Sequence, residues 1–264
     1  MKTISSSILI FLAFSSPTYA TTSSTINISP ENAHRIAEKI WNNECAGSVA
    51  GLTCWNNGEN FASLGIGHFI WYPAVKKERF QESFPELLAF LEKEGIPIPS
   101  FLKNSPACPW ISRDDFYKNI DSKEMTELRT FLFNTRDQQA IFIAQRLEKV
   151  LPGMIKDLSE KEKEKVTKIF LRLEKTPQGL YVLIDYLNFK GAGATPAEFY
   201  HGKGWGLLQV LQGIPSSSNN VIADFVVSAK KVLKERIDNS PPDRNEQRWL
   251  NGWFNRIDTY AVPD

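Results

Sequence analysis

A glutamate at the end of an apolar-faced helix, followed by a glycine-rich segment ending in histidine, is where this chain holds chemistry. The residues are Ile40-Trp41-Asn42-Asn43-Glu44 and, further on, Gly65-Ile66-Gly67-His68. Apolar neighbours such as Trp41, together with the negative end of the helix dipole, disfavour an ionised carboxylate at Glu44. A carboxylic acid kept protonated near neutral pH donates its proton to a leaving glycosidic oxygen. The two glycines of the second segment leave room for another part of the backbone to approach closely. His68 has two readings, as an orienting hydrogen-bond partner of Glu44 and the hairpin, or as a packed core histidine.

The elements that position these residues follow from pattern. Ser29-Pro30-Glu31 reads as a helix start, with a capping serine, proline at the first position and an acid in the first turn. Ala33, Ile36, Ala37, Ile40 and Trp41 then recur at helical spacing, and the helix is expected to end near Asn43-Glu44. Trp55 to Tyr72 contains a turn at Asn57-Gly58 and a β-like run from Phe61 to Trp71, read as a small hairpin or short sheet. Later patterns are helical. Leu87, Leu88, Phe90 and Leu91 form one stripe, and a proline-rich crossing spans Pro97 to Pro109. A long amphipathic span, Met125 to Val150, is punctuated by Pro152-Gly153. Further helices are expected at Ser159 to Leu173, Thr176-Pro177 to Tyr186, Trp205 to Leu211, Ile222 to Ile237 and Arg244 to Tyr260.

Composition bounds the possibilities. Lys2 precedes a short apolar run, Ile8 to Phe14, which exits through Thr18-Tyr19-Ala20. This is the pattern of a cleaved export signal, so residues 1–20 are expected to be removed and 21–264 to form a single exported domain, periplasmic or secreted. The run is too short to span a bilayer. With 31 Lys and Arg against 30 Asp and Glu, and Lys2 in the leader, the mature chain is neutral, which leaves nucleic-acid binding without an electrostatic footprint. There are 3 cysteines, Cys45, Cys54 and Cys108. In an exported protein they suggest one disulfide and one spare thiol, with Cys45–Cys54 preferred and Cys54–Cys108 the rival. No histidine lies at ligand spacing from a cysteine, so neither a metal nor any other cofactor is expected.

Residues 36–71 resemble phage-type lysozymes, the endolysin branch of the lysozyme superfamily. That family carries a catalytic Glu at the end of its first helix, then a hairpin holding an Asp, a Thr and a Gly-Ile-Gly-His strand. Glu44 stands at the acid's position, Ser63 at the Thr, and Gly65-Ile66-Gly67-His68 matches letter for letter. The segment Pro241 to Leu250 loosely resembles the family's Arg-rich last helix. Two features depart from the pattern. Asn57 occupies the Asp position, and the chain is longer both before the hairpin and overall.

The resemblance implies an α+β, mainly helical, lysozyme-like fold and hydrolysis of β-1,4 links in peptidoglycan, by a monomer. Glu44 is then the acid. Glu59, two residues beyond Asn57, is the candidate base if both share a strand face, and Ser63 positions a water. Carboxylates roughly 6.5–9.5 Å apart fit an inverting route, and about 5 Å a retaining one. Substrate-contacting candidates are Asn57, His68, Trp71, Asn188, Trp205 and Gln209. Asn188 is read as contacting an N-acetyl group or capping a helix end. Trp205 and Gln209 lie in a segment similar to the Gly-Leu-Met-Gln stretch of goose-type lysozymes, and are read as lining the cleft or packing in the core. Two other functions compete: a chitosanase-like glycosidase, and a wall-glycan binder in which Asn57 marks a degenerate site.

Overall fold

The computed structural model describes residues 28–75 and 81–262, and the expected signal at 1–20 lies outside them. The protein is mainly helical, with a small three-stranded antiparallel sheet near its N-terminus.

Helix α1 (Pro30–Cys45) begins as its sequence dictates: the Ser29 hydroxyl accepts from Asn32 N at 3.3 Å, and Pro30 occupies the first turn. Ala33, Ile36, Ala37 and Ile40 are all buried, an i, i+3, i+4, i+7 stripe laid against the later helix Arg136–Ile155. Ala46 ends the helix in the left-handed region, φ 51°, which turns the chain back toward the sheet.

Strands β1 (Thr53–Cys54), β2 (Ala62–Leu64) and β3 (Phe69–Trp71) form the sheet, with β2 central. Cys54 pairs with Ser63 and Ser63 with Ile70. The Gly-Ile-Gly-His segment is therefore the turn between β2 and β3, rather than the strand expected from the resemblance. Gly65 at φ +69° supplies a backbone state that a β-carbon penalises. The turn is pinned from below by Gln139, a fully buried amide whose Oε1 accepts from Ile66 N at 2.9 Å. The same amide donates to Leu132 O at 2.7 Å and Thr135 Oγ1 at 3.0 Å.

Helices α2 (Phe84–Lys93), α3 (Ser100–Lys103) and α4 (Arg113–Lys118) follow the sheet, and α2 packs on β3. The expected single span from Met125 to Val150 is two helices, α5 (Lys123–Asn134) and α6 (Arg136–Ile155). The break is at Thr135, whose hydroxyl donates to Phe131 O at 2.9 Å, and Gln139 then takes the Leu132 carbonyl. Pro152 does not stop α6; it sits inside the last turn, where few hydrogen bonds remain to be lost.

The second half is a helical mass of α7 (Glu160–Glu174), α8 (Pro177–Lys190), α9 (Leu207–Gly213), α10 (Val221–Asp238) and α11 (Leu250–Asp258). A two-stranded ribbon, β4 (Phe199–Tyr200) and β5 (Lys203–Gly204), was not anticipated. Helix α8 is the spine: every residue from Gly179 to Tyr186 is buried, including Asp185. A charged side chain in such a run demands partners.

Candidate active site

Glu44, the penultimate residue of α1, turns its side chain inward, and only 13% of it is exposed. Oε1 accepts from Arg256 Nη2 at 2.5 Å and from Asn188 Nδ2 at 3.2 Å. Oε2 faces the hairpin turn, 3.4 Å from His68 Nδ1. The acid and the hairpin thus meet, but the polar partners correct the expectation of a mainly apolar setting. His68 is held at φ 47°, an unusual state for a residue with a β-carbon, at the point where the turn approaches Glu44.

Beneath Glu44 lies a polar network that the sequence reading missed. Arg256, from α11, makes a bidentate pair with the fully buried Asp185, at 2.9 Å through Nε and 2.8 Å through Nη2. Asp185 also accepts from Tyr260 OH at 2.5 Å and Asn43 Nδ2 at 3.3 Å, and Asn43 donates to Tyr181 OH at 2.8 Å. Burial works against the Arg256 charge, but Asp185 and Glu44 outweigh it and hold the guanidinium above its ordinary value. Burial, then the Asp185 charge, pushes the Tyr260 hydroxyl well up, so it remains a donor. Four elements, α1, α8, α11 and the segment after α11, are locked through one carboxylate. Asp185 inside an otherwise apolar helix was the signal that could have revealed the network.

Glu59 lies in the turn region after Asn57-Gly58, since β2 begins only at Ala62; the strand alternation invoked for it does not apply. Its Oε2 accepts from Asn56 Nδ2 at 3.0 Å. Burial raises its carboxyl above the ordinary range, with the Asn56 hydrogen bond and the His68 charge opposing. Glu59 borders a depression of about 340 Å³, with Asn57 and Asn60 on its own side and Ile111, Arg113 and Asp114 opposite. The Cys54 thiol is pushed up to about 11, first by burial and then by the charges of Glu59 and Glu44, which places this residue within the field of both carboxylates.

The other expected site residues separate into two groups. Asn188 touches the site, as a partner of Glu44, and Asn57 is exposed on the loop beside the depression. Ser63 is buried at the centre of the sheet. Trp71 is also buried, packed on Phe84 and Trp110, so it has no free face for a sugar. Trp205 is buried against Tyr200, with the Arg236 guanidinium 4.3 Å above its ring. Gln209 accepts from Gly206 N and donates to Gly193 O, bracing a loop, and borders a separate depression not lined by Glu44, Glu59 or His68. Trp205 thus takes the second of its two readings, packing in the core, whereas Gln209 is partly exposed.

The Cys45–Cys54 disulfide is absent, and all three cysteines are free thiols. Cys45 Sγ donates instead to Gly65 O at 3.8 Å, tying the end of α1 to the hairpin turn. Among the described residues, no helix is long and apolar enough to cross a membrane.

No family model, curated protein or solved structure matches the chain.

Proposed function

We propose that this protein is an exported glycosidase that cleaves β-1,4 links of peptidoglycan in a lysozyme-like manner, with Glu44 as the general acid. The observation that carries this reading is the placement of Glu44 at the end of α1, with one oxygen held by Arg256 and Asn188 and the other turned to His68 and the glycine turn. An acid fixed through one oxygen presents the second at a defined angle, which proton delivery to a glycosidic oxygen requires. Glu59, its carboxyl raised by burial, is the group available to take a proton from water.

Support for export comes from the leader pattern alone. The mixed charges around Glu44, with Arg256 and His68 on its two oxygens, suit a polycationic chitosan chain poorly, and that rival is set aside. The second reading, a wall-glycan binder without catalysis, is favoured by Asn57, an amide where the resembling family has its second carboxylate.

The test is release of new reducing ends from purified peptidoglycan by the parent and by Glu44→Gln. Release by the parent and its loss in a folded variant, by about 10²–10⁴-fold, is expected. Equal release by both proteins, or none by either, removes the catalytic assignment.

A further inference from the structure

Beside Glu44 the protein holds one basic side chain, Lys190, that none of its own carboxylates pairs. Arg256 is paired with Asp185 and Glu44. Arg236 is paired with the fully buried Glu246, at 2.7 and 3.0 Å, and Arg244 reaches the same carboxylate at 3.2 Å. The fourth cation, Lys190, is the last residue of α8, two positions beyond Asn188. Its Nζ lies 3.4 Å from the ring centre of Trp253 and 4.0 Å from that of Phe189. Among the described residues it has no carboxylate at ion-pair distance and no hydrogen-bond acceptor. Lys190 is partly exposed. Four basic side chains thus share three carboxylates, and Lys190 is the one that meets only aromatic rings.

We propose that Lys190 receives the free carboxylate of an acidic amino sugar bound beside Glu44. The ligand class follows from the surroundings. One amine without a carboxylate partner matches one carboxylate. The neighbouring Trp249 and Trp253, 5.9 Å apart between ring centres, give apolar faces suited to sugar C–H groups, and Trp249 is exposed. Because the site is read as a wall-glycan site, this inference rests on that reading. In wall glycan the acidic sugar's carboxyl is ordinarily closed as an amide to the peptide stem. A free carboxylate therefore requires prior amide hydrolysis, and the preferred substrate is a glycan strand already stripped of peptide.

The electrostatics around Lys190 agree. Burial lowers the Lys190 amine to about 6; Arg236 and Arg256 push the same way, while Glu246 and Glu44 oppose. Without a ligand the amine is largely neutral above that value, and an arriving carboxylate restores its proton. Affinity for an acid should therefore be highest at or below about pH 6 and fall as the pH rises, with no such trend for a neutral sugar.

The experiment is a binding titration of the intact protein, followed by tryptophan fluorescence. The ligands are the N-acetylglucosamine–N-acetylmuramic acid disaccharide and its methyl ester, at pH 5.5 and pH 8. The free acid should bind roughly tenfold more tightly than the ester at the lower pH, the worth of one charge-assisted hydrogen bond, and lose that advantage at the higher. Lys190→Met should abolish the preference, and Lys190→Arg should keep it without the pH dependence. Each variant's fold is checked by circular dichroism. Equal binding of acid and ester, no binding of either, or a preference that survives Lys190→Met overturns the proposal. Since binding is read rather than cleavage, loss of the hydrolytic assignment through Glu44→Gln would be seen separately.

Discussion

Arg256 Nη2 lies 2.5 Å from Glu44 Oε1, bringing together two residues 212 positions apart in the chain. The same guanidinium neutralises a carboxylate that has no contact with water, Asp185. Support of the site and support of the fold are thus carried by one side chain.

Removing it should therefore damage both. Arg256→Met leaves Asp185 charged and uncompensated in the interior, and the expected loss is about 3–5 kcal/mol in denaturant unfolding. Asp185→Asn, Arg256→Met should recover part of that stability without recovering activity. Unfolding of the single variant at the parent's midpoint would show that Asp185 is not the buried anion described here.

The hairpin turn gives a comparison between two glycines. Both Gly58 and Gly65 have positive φ, at +83° and +69°, so alanine at either costs about 1–2 kcal/mol in backbone strain. A β-carbon at Gly58 meets open space, whereas at Gly65 it falls 2.3 Å from Gln139 Oε1. Gly65→Ala should consequently cost about 1–3 kcal/mol more than Gly58→Ala, by calorimetry or urea titration. Equal costs would mean that Gln139 does not brace the turn.

Glu59 sets a pH dependence. Its folded carboxyl is raised above the ordinary 4.5, first by burial, so the folded state holds this proton more tightly than the unfolded chain. The stability it contributes is complete below the ordinary value and is lost as the pH climbs through the raised one. Relative to Glu59→Gln, the wild type should become progressively less stable as the pH rises from 4.5 through the raised value. If Glu59 is the base, the acid limb of the rate profile should lie above 4.5 as well. A stability difference of the opposite slope would contradict the placement of this side chain.

The thiols should be slow to react. Burial pushes Cys45 and Cys108 up to about 12 and Cys54 up to about 11, with nearby carboxylate charges adding to each shift. Alkylation of the native protein at pH 8 should be much slower than in denaturant, where 3 thiols should titrate. Two fewer thiols in unreduced, denatured protein would reveal a disulfide.

What the sequence made legible was local. The Ser29-Pro30 start, the α1 stripe and the position of Glu44 are set by capping and by a 3.6-residue period, and they were readable. The small sheet is readable from its β-rich residues, whereas the letters of Gly65 to His68 match a strand of the resembling family and form a turn. The physical cue pointed the other way, since a glycine that needs positive φ marks a turn. The break at Thr135 had no glycine or proline to announce it; it depends on Gln139 taking a carbonyl from the preceding helix. The pairing of Asp185 with Arg256 had no local signature at all, because its partners converge only when α8 and α11 pack. Trp71 and Trp205 show the corresponding limit for aromatics: residue type favours a sugar face and a packed core alike, and burial decided for the core.

The docking of α11 against α8 has a consequence for biosynthesis. A chain made from its N-terminus presents Glu44 and the hairpin long before Arg256 exists, and Asp185 emerges without its counter-ion. A product cut short ahead of α11 keeps the acid but lacks the cation that holds it and the clamp that closes the helical mass. Any activity that depends on Glu44 held in this way therefore arrives with α11, and chains ended before it should lack that activity.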